Sequence, residues 1–244
     1  NGDFLVEMEI QDRIEEGNIY LTTSANRFYR VREPEDESQV ETIKSKLDEL
    51  EKIVRGGSWD QVSEIIDIDS FVEYYIHNEF MKSIDFHQLS VYFYYHDGKF
   101  YAGPVWDYDN SAGDFSRKAF GQNINDPNTI YAAFCHYYAY LTKISEFNEA
   151  VFCKFTKISD ILGEIYTSGG WIDSDLTTYN DAINRNLNRW GGAARYNDNI
   201  NSLKTWLQTR HNFLNQYFYS GAKIESEDSN YYFSYNGVRI AAGF

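Results

Sequence analysis

The side chains with the clearest chemical potential are Asp85, His87, Asp107 and Asp109. They flank a segment that reads as a β-hairpin, Ser90 to His96 and Lys99 to Val105, joined by Asp97-Gly98. Both turn residues tolerate positive φ, so Asp-Gly is a strong two-residue turn signal. With that turn His96 faces Lys99, and pairing continued outward sets Ser90 opposite Val105 and Gln88 opposite Asp107. The loop before the first strand then lies beside the loop after the second. Three carboxylates gathered there repel one another unless a cation sits among them, and oxygen-only ligands favour Mg²⁺, Mn²⁺ or Ca²⁺. The competing reading is ordinary turn and capping aspartates, which are frequent beside hairpins. The plainer reading of His87 is a histidine behind Asp85 or at the surface, beside which stands its capacity to orient Asp85 or act as a base.

The charge balance bears on the same point. The 244 residues carry 22 basic and 37 acidic side chains, a net charge of −15. Such a chain disfavours nucleic acid and anionic membrane as partners, because both need a cationic surface. A polyanionic small ligand would need a metal ion between it and the protein. Hydrophobic residues make up 43% of the chain, enough for a folded core and far from a disordered composition. No apolar stretch is long enough for a transmembrane segment. Cys135 and Cys153 leave pairing and compartment open.

These residues need elements to hold them. Phe4 to Ile10 alternates, and Asn18 to Thr23 and Asn26 to Val31 read as short strands, so residues 1–35 form a small β region closed by Pro34. Val40, Ile43, Leu47, Leu50 and Val54 make a helical seam that Gly56-Gly57 ends. A second helix is predicted to start with an N-cap at Asp69-Ser70. After the hairpin, helices are predicted over Thr129 to Thr142, Glu146 to Ile165, Asp173 to Arg189 and Asn199 to Tyr219, with Trp190-Gly191-Gly192 as a stop. The aromatics Phe134, Tyr137, Tyr138, Phe147, Phe152, Phe155, Trp171 and Trp190 read as core at helical spacing, and Lys154 and Arg189 as solvated charges. Residues 221–244 turn strand-like and read as terminal strands or the start of a following domain. The chain opens at Asn1 within a strand, without Met or a signal peptide, and reads as a fragment.

The order of parts resembles a protein-kinase C-terminal lobe: a helix, a loop Asp at Asp85, Ser90 five positions on, a hairpin, then Asp107. In kinases the loop Asp takes the acceptor proton, the residue five on binds metal, and the post-hairpin Asp holds Mg²⁺ on the nucleotide. Ser90 stands where kinases carry Asn. More specifically, Asp69-Ser-Phe-Val-Glu-Tyr-Tyr-Ile-His-Asn-Glu-Phe, Ser-Val-Tyr-Phe-Tyr and above all Gly103-Pro-Val-Trp-Asp-Tyr-Asp109 resemble the CotH (spore coat protein H) kinase family. The resemblance runs from about Phe4 to Tyr219 and includes Arg189-Trp190 and the Trp206 to Arg210 helix.

That resemblance implies an α+β, atypical protein-kinase-like fold over residues 1–220, mainly the helical lobe (36–220) with its hairpin and part of a small β region. It implies transfer of the γ-phosphoryl group of ATP to Ser of secreted or coat proteins, with Mg²⁺ or Mn²⁺ as cofactor and ATP and a protein as partners. By position, Asp85 matches the catalytic Asp, and Asp107 and Asp109 the metal-binding motif, with Ser90 a weaker fourth member. Arg32, in Arg30-Val-Arg-Glu-Pro34, is the candidate phosphate contact, and Glu7 a candidate cleft residue or, equally, an exposed strand glutamate. An upstream lobe with a glycine-rich loop and a phosphate-binding Lys is expected before Asn1. The implied setting is the cell surface, a spore coat or the extracellular space. Two other readings stand beside this one. One is a non-catalytic kinase-like binding module; the other is an extracellular domain that holds Ca²⁺ for adhesion or carbohydrate binding.

Overall fold

The computed structural model describes residues 2–113, 118–119, 122–227, 230–235 and 238–240. The chain divides into two compact units, residues 1–111 with 130–151 and residues 112–129 with 152–244.

The first unit is an antiparallel sheet backed by helices. Its strands are β1 (Phe4–Met8), β2 (Ile19–Thr22), β3 (Phe28–Glu33), β4 (Val91–His96) and β5 (Lys99–Ala102), in the order β2-β3-β1-β4-β5. The predicted hairpin is β4-β5, with His96 facing Lys99 and Phe93 facing Ala102 as the Asp-Gly turn requires. Asp97 and Gly98 both take positive φ, 49° and 84°. The ladder does not continue to Ser90 and Val105. It closes where the Gly103 N–H donates to Tyr92 O at 2.9 Å, and Gly103 adopts φ 115°, a conformation that favours glycine. The hairpin is also not separate from the early strands, because β4 pairs with β1, Glu7 facing Tyr92.

The helices of this unit are α1 (Val40–Gly56), α2 (Trp59–Ile65), α3 (Ile68–Met81) and the short α4 (Tyr138–Leu141). Helix α3 starts earlier than predicted because the Asp67 carboxylate accepts the Ser70 N–H at 2.8 Å and caps the helix. Helix α2 was not anticipated; Ser58 and Gln61 form a reciprocal capping box at its start. The predicted helix over Thr129 to Thr142 is broken into a 3₁₀ turn (Ala132–Phe134) and α4, since Cys135 is extended and His136 has φ 27°. Tertiary bonds replace the helical ones there: buried Glu79 accepts the N–H groups of Tyr131 (2.7 Å) and Ala133 (3.2 Å). The core joins Val6, Tyr29, Val31, Phe93 and Phe100 of the sheet to Leu47, Leu50, Phe71, Tyr137 and Tyr138, all buried. Inside it the phenols of Tyr29 and Tyr137 share a 2.7 Å hydrogen bond.

The second unit is helical. Helix α5 (Ser145–Tyr166) enters it from the first, and α6 (Trp171–Thr178), α7 (Asn180–Trp190) and α8 (Ala193–Tyr219) follow. A short strand pair, β6 (Lys118–Ala119) with β7 (Gln122–Asn123), and a three-stranded antiparallel sheet of β8 (Ala222–Glu227), β9 (Asn230–Tyr235) and β10 (Val238–Ile240) complete it. The predicted Asp173 to Arg189 helix is two helices meeting at Tyr179, in a Thr-Thr-Tyr-Asn run of weak helix formers. Helices α5 and α8 pack through Phe155 on Phe218 and through hydrogen bonds of buried His211 to buried Ser159 and half-buried Tyr166. The Arg210 side chain, wholly buried, donates to the carbonyls of Pro127 (2.9 Å) and Thr129 (2.7 Å). The indole of Trp206 donates to Asn125 O at 2.6 Å and covers Gly113 so closely that a Cβ there would lie 2.4 Å from the ring.

Of the aromatics predicted as core, Tyr137, Tyr138, Phe147, Phe152 and Phe155 are buried, while Phe134, Trp171 and Trp190 are exposed. The last two sit on α6 and α7, which bury none of their residues. Cys135 and Cys153 are not disulfide-bonded. No helix among the described residues is long and apolar enough to cross a membrane.

Candidate functional site

Alternation on β3 places Tyr29 and Val31 in the core and turns Arg30 and Arg32 to the opposite face. Glu7 faces Arg30 on one side and Tyr92 on the other, in a register reset by an irregularity between Leu5 and Val6. Arg32 reaches diagonally to Glu7: its Nε donates to Glu7 Oε2 at 2.7 Å and its Nη2 joins the same oxygen. Nη2 also donates to the Tyr92 hydroxyl at 3.4 Å. Burial, with the Glu7 charge beside it, pushes the Tyr92 phenol up to about 12. Arg32 Nη1 has no hydrogen-bond partner among the described residues. Glu7 is thus a buried, paired group that fixes the fork of Arg32.

This pair lies in a cleft of about 380 Å³ whose other walls include Ser90, Trp106 and Asp107. Glu7, Arg32, Ser90 and Asp107, chosen from sequence, therefore share one concavity. The cleft also holds residues that sequence reading missed, Arg13, Arg30 and Trp106. Arg30 is tied to Asn18 (2.7 Å) and Glu15 (3.4 Å), whereas the exposed guanidinium of Arg13 pairs with nothing among the described residues. Trp106 is 58% exposed and meets Tyr92 edge-on. The alternating Arg30-Val31-Arg32 was the signal available for Arg30. Nothing local marked Arg13, which sits in a 3₁₀ turn between β1 and β2.

The loop after the hairpin carries the carboxylates. Ser90 Oγ donates to Asp107 Oδ2 at 3.3 Å, and both residues take left-handed φ, 54° and 61°. Two non-glycine residues held in that sparsely populated region and bonded to each other mark a site the surroundings over-determine. The hydrogen bond Asp109 shares with the Asp107 carboxyl, then a small loss of hydration and the Asp107 charge, push the Asp109 carboxyl above the usual range. Asp85 pushes the same way, and the Asn110 backbone N–H opposes. Between the two aspartates, Tyr108 points inward and donates to buried Asn78 at 2.7 Å. The Asp85 turn (Ile84–His87) is joined to this loop twice: the Ile84 N–H donates to Asn110 O (3.1 Å), and Asn110 Nδ2 donates to Asp85 Oδ2 (3.4 Å).

The expected closure of three carboxylates around one point is therefore found only in part. Asp107 and Asp109 meet, and Asp85 stands within reach of their field. Among the described residues no group of three or more His, Cys, Asp and Glu side chains is arranged to hold a metal ion. The hairpin ladder ends before Ser90, and it is the Ser90 hydroxyl, not the Asp85 carboxylate, that meets Asp107. Asp85, His87 and Asp109 do not line that cleft; they stand on the neighbouring turn and loop, where His87 Nδ1 lies 2.7 Å from Ile84 O and steadies the Asp85 turn.

A family model described as CotH kinase protein matches residues 15–214. The chain belongs to the CotH kinase family. The match spans Arg32, Asp85, His87, Ser90, Asp107 and Asp109, and Glu7 lies ahead of it. Membership makes the α+β architecture a kinase-like one. No curated protein matches the chain.

Proposed function

We propose that this CotH-family cleft transfers the γ-phosphoryl group of ATP to serine hydroxyls of proteins, those of secreted or coat assemblies being the class the family suggests. The observation that carries the reading is the shared cleft, in which Arg32 with an uncommitted Nη1 faces a wall holding Asp107 and Ser90. Arg32, oriented by Glu7, contacts a phosphate oxygen through Nη1, a charge-assisted bond. Asp85 accepts the proton of the acceptor hydroxyl as its oxygen bonds to the γ-phosphorus; the bond to the β,γ-bridging oxygen breaks and that electron pair leaves on ADP.

The donor set suits a divalent cation of the Mg²⁺ or Mn²⁺ type. Asp107 and Asp109 are hard oxygen ligands in mutual contact; the hydrogen bond with Asp107, and after it the Asp107 charge, raises the Asp109 carboxyl, and a cation between the two would oppose that shift. Asp107 and Asp109 would hold the ion, with Ser90 orienting Asp107. When bound, it would neutralise phosphate charge as the phosphoryl group moves.

The test is transfer of label from ATP to candidate secreted or coat proteins in the presence of Mg²⁺ or Mn²⁺. Asp85→Asn should lower the rate by about 10²-fold or more, the usual weight of a general base. Arg32→Met should raise the KM for ATP. Equal transfer by wild type, Asp85→Asn and Asp107→Ala would overturn the mechanism. Nucleotide-dependent thermal stabilisation with no transfer would instead make this a binding module.

A further inference from the structure

Helix α7 and the turn after it carry a charge pattern opposite to that of the chain. Residues 182–197 contain Arg185, Arg189 and Arg195 and no Asp or Glu, within a protein of net charge −15. All three arginines are exposed, and none has an ion-pair or hydrogen-bond partner among the described residues. Arg185 and Arg189, four apart, share one face of α7. Trp190 adjoins them and is 74% exposed, with the Arg189 guanidinium 4.9 Å from its ring centroid. Asp181, one turn before Arg185, continues the same face of α7, and Asp198 follows Arg195 by three positions on α8, so an acidic side chain bounds the patch at each end. A tryptophan so exposed, beside unpaired arginines, has the composition of an interface anchor rather than of ordinary surface.

We infer that this face docks a short acidic polypeptide segment carrying an aromatic or bulky apolar residue. Arginine forks match carboxylates, and Trp190 offers the apolar contact. Charge also selects among anions. Duplex DNA or an anionic bilayer would extend beyond the patch onto acidic surface within a Debye length of about 10 Å. Helix α7 is about 16 Å long, the span of roughly five extended residues, so a short acidic peptide keeps its charge over the arginines. The inference uses only α7 and the start of α8, and does not rest on the proposed phosphotransfer.

The test uses the full chain and a fluorescein-labelled peptide Glu-Glu-Phe-Glu-Glu, with Gln-Gln-Phe-Gln-Gln as control, read by anisotropy. Saturable binding of the acidic peptide is expected, weakening about tenfold from low to physiological salt. Arg185→Glu with Arg189→Glu should abolish it, and Trp190→Ala should weaken it several-fold, with melting temperatures unchanged because these side chains are exposed. Four results would overturn the inference: no binding, equal binding of the control peptide, unchanged binding by the double variant, or tighter binding of a DNA duplex or phosphatidylserine vesicles. Self-association that Arg189→Glu removes would also overturn it, by giving the face to a second copy.

Discussion

The phenol of Tyr108 donates a 2.7 Å hydrogen bond to Asn78, and so fixes the two aspartates on either side of it to helix α3. Asn78 is fully buried, and its amide nitrogen is already committed to Tyr74 O at 2.8 Å. Tyr108→Phe leaves the Asn78 carbonyl oxygen without that donor, at a cost of about 1–2 kcal/mol. Chemical denaturation should show this loss. In the labelled-ATP assay the variant should also lose turnover, since Asp107 and Asp109 no longer share a fixed anchor. Unchanged stability would mean that the bond contributes nothing.

The Glu7–Arg32 pair is asymmetric, with the Glu7 side chain buried and the Arg32 side chain 32% exposed. Arg32→Met strands a buried charge and should destabilise by about 2 kcal/mol, less than for a wholly buried pair. Adding Glu7→Gln should restore part of that loss. A double variant no more stable than Arg32→Met would contradict the pairing.

Because Asp109 is held above the usual carboxylate range, its proton is favoured in the folded state. Folding stability from this group therefore falls as pH rises from the unfolded carboxylate value through the folded one. Asp109→Asn should melt higher than wild type at pH 7 without divalent ions, and the gap should close in acid. Added Mg²⁺ or Mn²⁺ should raise the wild-type melting temperature and not that of the variant. A variant that melts lower than wild type at pH 7 would count against the like-charge contact.

Burial lowers His77 to about 4 and His136 to about 3. Both should remain neutral at pH 6, which imidazole resonances can report. For a depressed histidine the unfolded chain binds the proton first, so stability is present above about 6.5 and is lost as pH falls toward the folded value. For His77 alone the loss is up to about 3 kcal/mol. Ordinary titration of either ring near 6.5 would refute this.

Gly113 takes φ +86° and lies under the Trp206 ring. Gly113→Ala combines an unfavourable backbone with overpacking and should cost about 2–4 kcal/mol. A melting temperature equal to wild type would show that the ring moves freely.

The parts legible in sequence were those set by short-range rules. Asp97-Gly98 fixed the β4-β5 register because the turn admits few alternatives, and the Val40 to Val54 seam fixed α1 because its period is helical. The missed parts depend on distant partners. The Glu7–Arg32 pair needs an irregular strand register, Arg13 reaches the cleft from a turn, and Glu79 breaks a plausible helix by capturing two N–H groups from another segment. Trp190 was misread because helical spacing says which residues share a face and nothing about whether that face is covered.

Strand β4 bonds directly to β1, so Arg32, Glu7 and the hairpin that leads to Asp107 belong to one continuous sheet. The cleft wall that carries Arg30, Arg32 and Glu7 and the hairpin that leads to Asp107 are thus tied by strand-to-strand hydrogen bonds. Strand spacing therefore sets how far Arg32 stands from the root of the Asp107 loop, a gauge against which a ligand's size is measured on entry.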